Sequence, residues 1–466
     1  MDITFHGAAR TVTGSQHLIQ VNGSKFLLDC GLFQGSRKET YFRNQHFLYD
    51  PRTVDILLLS HAHTDHAANI PNLVKKGFNG LIKTTPASHD LSKYMILDSG
   101  RIQENDAEYV NKKNAKRGEP PIEPLYDSQD AEEALRHFAA VPYNTPFEVV
   151  PGVVAEYLDA GHILGSSITI LDIEDAKAGR KTRLAFSGDL GRKSTPILRD
   201  PTFVADVDYL IMESTYGDRL HKSRDEAQDQ LRRLVQEAVD RGGKIIIPSF
   251  AVGRAQELVF SLHFMMESGA LPRFPVYVDS PLAVNVSKVF RAYGELHDQA
   301  AQDFAEDIHR NVFEFPELTY VGSADESKAL NDKKGPMVII SASGMCETGR
   351  ILHHLRNNIE NPRNTVLIVS WQAPDTLGRR LVEKQPRVKI FGESFDVKAN
   401  VQVINGYSAH ADQAGLMEWA LSLKGRLKKV FLVHGEPAPA ETLAAKLREG
   451  GIPEVYYPNL HETVTL

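Results

Sequence analysis

Residues 57 to 70 read LLLSHAHTDHAANI, a run of leucines followed by His61, His63, Asp65 and His66 within six positions. The leucines read as a buried strand and ANIPNLVKKG as a helix, so the polar cluster falls at a strand-to-helix junction. His61 and His63 then leave an extended loop, whereas Asp65 and His66 begin the helix and can point elsewhere. One short segment can serve two metal ions in this way. The plainer alternative makes Asp65 a helix cap and the histidines ordinary polar residues, and it explains one residue of four. Imidazole and carboxylate donors without cysteine suit zinc in sites that keep a position open for water, which marks a catalytic centre rather than a structural one. Manganese or iron fits the same donors.

Four ligands do not complete two sites, and the chain offers more. DAGHILG places His162, FSGDLG places Asp189 and FLVHGE places His434, each just beyond an apolar strand. Taken singly, each reads more readily as a packed or capping residue than as a ligand. Their common position is what joins them.

The chain has 466 residues, with 53 Lys and Arg against 60 Asp and Glu for a net charge of -7, so no global positive field draws it to a polyanion. Basic runs at Lys112 to Arg117, Arg379 to Lys384 and Lys424 to Lys429 read first as solvated faces. Two cysteines, Cys30 and Cys346, are too few for a disulfide framework and fit a reducing compartment. No apolar run approaches the roughly 20 residues a bilayer requires, and no signal peptide pattern opens the chain. A cytoplasmic protein without a membrane partner is expected.

The first part alternates like sheet, with Asn22-Gly23 as a hairpin turn between QHLIQV and KFLLDCG. Residues 88 to 140 read as a polar, helical surface excursion around KRGEPPIEP. From 218 onward helices alternate with the apolar strands KIIIPSF, PVYVDS, PMVIISAS and TVLIVS, a parallel α/β pattern. Residues 294 to 335 carry no readable pattern. Near 400 the sheet-like alternation of the first part returns in NVQVINGYSAHAD and KKVFLVHGE. Three segments follow: 1–217, an inserted 218–397, and 398–466 rejoining the first.

In this order SHAHTDHAANI, DAGHILGSS, FSGDLG, IMESTYGDR, YSAHADQ and FLVHGE resemble the successive motifs of the metallo-β-lactamase superfamily, and among its members the β-CASP nucleases. The resemblance spans nearly the whole chain. It implies an α/β fold, a metallo-β-lactamase αβ/βα sandwich with an inserted parallel α/β β-CASP domain that covers the metal site to form a cleft. It further implies two zinc ions, one held by His61, His63 and His162, the other by Asp65, His66 and His434, with Asp189 bridging. Asp29 of FLLDCG matches the aspartate that orients a histidine ligand, and Glu213 and His410 match an acid-histidine pair beside the scissile phosphate.

Two dications outweigh the two carboxylates, so the centre attracts an anionic phosphodiester, and the departing alkoxide still needs a proton. His410 is the expected general acid, with Glu213 favouring its imidazolium form. Ser343-Gly344 in VIISASGMCETGR reads as a strand running into a helix start, and Arg254 in IIIPSFAVGR repeats that arrangement. Such turns are as common without ligands, and it is the family resemblance that implies RNA phosphate binding at both. Within the family a histidine at the last motif resembles the RNA-cleaving branch, and the chain is similar to bacterial and archaeal relatives of the pre-mRNA 3′-end cleavage factor, with neither the N-terminal RNA-binding domains of the archaeal long forms nor the long C-terminal extension of ribonuclease J expected. The resemblance therefore implies an endoribonuclease acting on single-stranded RNA, with 5′-to-3′ exonucleolytic action as a second mode and with monomer and homodimer both open. Hydrolysis of small acyl substrates and a non-catalytic partner subunit are the competing readings.

Overall fold

The computed structural model describes residues 1–35, 37–373 and 375–466, without the side chains of 37–39. The chain forms two compact units, one of Met1–Lys193, Asp200–Leu220 and His410–Leu466, the other of Ser194–Arg199 and His221–Ala409.

The first unit holds two seven-stranded sheets. One runs in the order Thr463–Thr465, Asp2–Phe5, His17–Val21, Ser24–Leu28, Ile56–Leu58, Leu81–Thr84, Phe138–Ala140. The other runs Val455–Tyr456, Lys429–Val433, Tyr209–Glu213, Arg180–Phe186, Ser167–Asp175, Val153–Asp159, Phe147–Val150. Period-two alternation sorts their side chains into three layers. Ile19, Phe26, Leu28 and Leu58 of the first sheet pack with Leu171, Phe186, Ile211, Phe431 and Val433 of the second in one buried cluster. Their neighbours point the other way. Leu18, Leu27 and Leu57 meet Ile70, Leu73 and Ala134 of flanking helices, and Leu210, Met212, Val430 and Leu432 meet Leu416, Trp419, Leu443 and Leu447. The result is an αβ/βα sandwich. At the hairpin, Asn22 (φ 52°) and Gly23 (φ 86°) both take the left-handed backbone that a tight two-residue turn requires.

The excursion is more than a surface feature. Helix Pro86–Arg117 buries Leu91 and Ile96 in its first half, Tyr126 is fully buried with its hydroxyl donating to the Ala68 carbonyl (2.6 Å), and Phe138–Ala140 joins the first sheet.

The second unit is built on a six-stranded parallel sheet in the order Leu318–Tyr320, Val276–Val278, Met337–Ser341, Lys244–Pro248, Thr365–Ile368, Asn400–Val403. The expected segment boundary at 397/398 is corrected here. NVQV pairs in parallel with Thr365–Ile368 and so ends this sheet, and the chain rejoins the first unit at His410. The boundary at 217/218 moves to 220/221, and Ser194–Arg199 pairs into the second unit, with the Ile197 carbonyl accepting from Asp298 N–H at 2.7 Å.

Candidate metal centre

The strands Ser24–Leu28, Ile56–Leu58, Val153–Asp159, Arg180–Phe186, Tyr209–Glu213 and Lys429–Val433 belong to two packed sheets, and the residues just past or at their carboxyl ends are Asp29, His61, His162, Asp189, Glu213 and His434. Two glycines let these loops approach. A Cβ on Gly31 would sit 1.6 Å from the Asp65 carbonyl oxygen, and one on Gly191 would sit 1.9 Å from that of Gly161. Asp29 (φ 62°) and His434 (φ 48°) both hold left-handed backbone as their chains leave the sheet, a cost kept where the side chain's aim matters.

His61, His63, His162 and Asp189 bring one ligand atom each within 4.8 Å of one another, and so do Asp65, His66 and His434. In the first group His63 Nδ1 lies 3.1 Å from His61 Nε2 and 3.2 Å from His162 Nε2, and Asp189 Oδ2 lies 3.5 Å from each Nε2. In the second, His434 Nε2 lies 3.3 Å from both His66 Nε2 and Asp65 Oδ2. Asp189 reaches this group with its other oxygen, 3.3 Å from His66 Nε2. A tetrahedral zinc with ligands at about 2.0 to 2.1 Å separates donor atoms by about 3.4 Å. The observed spacings match.

Hydrogen bonds behind the rings set which nitrogens face inward. His66 Nδ1 donates to Asp29 Oδ2 at 2.7 Å, and Asp29 also accepts from Ser60 N–H (2.8 Å), Ser60 Oγ (3.0 Å) and Ser15 Oγ (3.2 Å). With its proton on Asp29, the Ser60 hydroxyl accepts from His61 Nδ1 at 3.0 Å. Thr215 Oγ1 donates to the His434 carbonyl (3.0 Å) and accepts from His434 Nδ1 (3.1 Å). His61, His66 and His434 therefore turn bare Nε2 lone pairs inward, and the His66–His434 contact sets two acceptors face to face. Such a contact is repulsive until a proton or a cation lies between the nitrogens. Burial opposes charge on His66, yet Asp189 and Asp29 outweigh burial and hold it well above the usual histidine range. Burial and the charge on His66 push His61 well down, and burial brings His63 to about 4, so both are neutral donors. The donor set fits a metal pair.

Beside these groups His410 Nδ1 lies 3.1 and 3.2 Å from the two Glu213 oxygens, and Glu213 is fully buried with Oε1 accepting from Leu190 N–H at 2.7 Å. Burial works against the imidazolium of His410, but Glu213 and Asp189 raise it to about 9.

Three expectations are corrected. The helix-cap alternative for Asp65 fails, because His63 occupies the cap of Thr64–Ala67 and no side chain caps that turn. His410 does not follow an apolar strand of its own unit; it enters through an isolated antiparallel bridge to Gly191. Ser343 and Gly344 are not at a helix start, since the next helix begins at Arg350 behind Gly349. Arg254 does start helix Arg254–Glu267, but it is buried, paired with Glu257 and set over the Tyr407 ring at 5.3 Å. Ser60 and Thr215 escape a reading of the sequence, although Ser60 directly precedes His61 and Thr215 lies two residues after Glu213.

Because Asp29 fixes the His66 tautomer, Asp29→Asn is expected to weaken metal binding about 10- to 100-fold. Competition against a chromophoric chelator measures this, and an unchanged affinity would remove Asp29 from the centre.

Three family models match the chain: the metallo-beta-lactamase superfamily over residues 10–143, the Beta-Casp domain over 255–381, and the Zn-dependent metallo-hydrolase RNA specificity domain over 394–458. Ribonuclease TTHA0252 of Thermus thermophilus is 35% identical over 442 residues, which cover 94% of this chain and 93% of that protein. Transcription termination factor FttA of Pyrococcus abyssi is 30% identical over 100% of this chain and 71% of the factor, and FttA of Methanocaldococcus jannaschii is 29% identical over 98% and 70%. The crystal structure of a protein of unknown function from Enterococcus faecalis shares the fold, with a TM-score of 0.56, 14% identity, and coverage of 100% of this chain and 99% of that one.

Proposed function

Because the chain belongs to the β-CASP ribonuclease family of the metallo-β-lactamase superfamily, we propose that it is a zinc-dependent ribonuclease. It hydrolyses phosphodiester bonds of single-stranded RNA, mainly endonucleolytically, with 5′-to-3′ exonucleolytic action as a second mode. The observation that carries this reading is the convergence of two ligand groups that share Asp189, next to the Glu213–His410 pair. His61, His63 and His162 would hold one zinc, and Asp65, His66 and His434 the other, with one Asp189 oxygen toward each. When bound, the ions supply an attacking water acidic enough to react at neutral pH and positive charge against the transition state.

The protein's own groups complete the reaction. Glu213, pinned by the Leu190 N–H, holds His410 through Nδ1. That leaves the Nε2–H of an imidazolium to protonate the departing oxygen, a step that contributes roughly 10²- to 10⁴-fold. The inserted Beta-Casp domain and the Glu213–His410 pair favour a phosphodiester over a lactam or thioester. No helix among the described residues is long and apolar enough to cross a membrane. Cys30 and Cys346 are buried and unpaired, which suits work in the cytoplasm, where RNA is the abundant polyanion.

The test incubates the metal-loaded protein with labelled RNA, single-stranded DNA, a thioester and a β-lactam, with and without chelator. Cleavage of RNA that chelator abolishes is expected. Metal-dependent turnover of the acyl substrates alone would overturn the reading, and turnover of nothing would favour a partner subunit.

A further inference from the structure

Against the catalytic segments of the first unit lies a pocket of about 220 Å³, roughly seven times the share of one water. Part of its wall is Leu190 and Gly191, which directly follow Asp189, and part is Ala411 and Asp412, which directly follow His410. Ala411 N–H donates to the Leu190 carbonyl at 2.7 Å, and Leu190 N–H in turn holds Glu213, so the wall is one hydrogen bond from the acid pair. The aromatic lining is Phe203, 45% exposed, and Trp419, nearly buried with its indole N–H donating to the Thr202 carbonyl at 2.9 Å. Arg192, Lys193 and Glu418 supply polar groups. Lys193 lies over the Phe203 ring at 4.9 Å and is paired with Glu418, and both ends of that pair are about half exposed. An exposed pair of this kind is worth little and yields readily to a ligand.

We infer that this pocket takes a single nucleobase, that of a nucleotide adjoining the scissile phosphate, and that it prefers guanine. Splayed bases of single-stranded RNA are recognised by stacking on an aromatic face and by hydrogen bonds along the base edge. Phe203 supplies the face once Lys193 swings aside. Guanine presents two adjacent donors, N1–H and the N2 amino group, that a carboxylate accepts together. Glu418 is that carboxylate, because Asp412 already uses Oδ1 to cap the helix Gln413–Ser422 through Gly415 N–H at 3.0 Å. The released Lys193 ammonium, or the Arg192 guanidinium, then faces the O6 acceptor. The choice of a nucleobase rests on the ribonuclease reading; the pocket's chemistry does not.

The chain has two tryptophans, so Trp371→Phe leaves Trp419 as the sole indole reporter. In that background, guanosine is expected to quench Trp419 fluorescence saturably and cytidine to bind at least tenfold more weakly. Phe203→Ala and Glu418→Gln should each weaken guanosine about tenfold. Sequencing the ends produced from randomised RNA should show guanine enriched several-fold at one fixed position beside the cut, and Glu418→Gln should erase that enrichment. A Trp419 signal that no nucleoside moves, or one that guanosine moves in both variants as strongly as in their parent, overturns the pocket, as does cutting without positional bias. RNA left uncut would sink the ribonuclease reading instead and leave the nucleoside titration to decide on the pocket.

Discussion

For the proposed two-zinc centre, Asp189→Asn is expected to abolish turnover, by about 10⁴-fold or more, and to lower bound zinc from two ions per chain to one or none. Asp189 is the residue whose two oxygens address different groups, Oδ2 toward His61 and His162 at 3.5 Å and Oδ1 toward His66 at 3.3 Å. An amide keeps the shape but replaces one oxygen with an NH₂, which presents hydrogens where a cation should be and removes the charge both sites share. The side chain lies at strand ends rather than in the sandwich core, so far-ultraviolet circular dichroism should be unchanged. Elemental analysis of dialysed protein and single-turnover cleavage measure the two losses. A variant that keeps both ions and a rate within tenfold of wild type would break the two-site reading.

His410→Ala is expected to cost about 10²- to 10⁴-fold in kcat on RNA while zinc content stays at two. A separate arrangement must be distinguished, because Asp189, Glu213 and His410 also bring ligand atoms within 4.8 Å of one another and could themselves hold a cation. Metal content separates the two. The proton-donor role has a second signature, since bis(p-nitrophenyl) phosphate releases a phenolate that needs no proton. On that substrate the variant should fall less than tenfold below wild type. An equal loss on both substrates, or the loss of an ion, would make His410 a ligand or a structural residue.

Much of the centre is legible in the chain because metal chemistry restricts residue types so sharply. Few reasons other than a metal put His61, His63, Asp65 and His66 in six positions, and His162, Asp189 and His434 share one place relative to an apolar strand. Hydroxyls are less restricted. Ser60 and Thr215 could cap, turn or meet solvent, and only the folded chain shows them fixing tautomers at His61 and His434. The strand rule also misleads. Applied to NVQV it assigns that strand to the sandwich, whereas pairing with Thr365–Ile368 puts it in the other unit and leaves His410 to an isolated bridge. Leu318–Tyr320 is unreadable for a related reason. It is a three-residue edge strand without one fully buried side chain, so it has no apolar run to announce it. The loop after Met337–Ser341 defeats the helix-start reading because the chain turns through Cys346 (φ 60°) and Gly349 (φ 80°) before the helix can begin.

His434 arrives on Lys429–Val433, which lies beside Tyr209–Glu213 in the finished sheet although some two hundred residues separate them along the chain. A ribosome making this protein holds an unfinished enzyme next to the very polymer it cuts. Until that late strand docks, the imidazole of His434 is missing beside Asp65 and His66, and the emerging chain carries an incomplete centre.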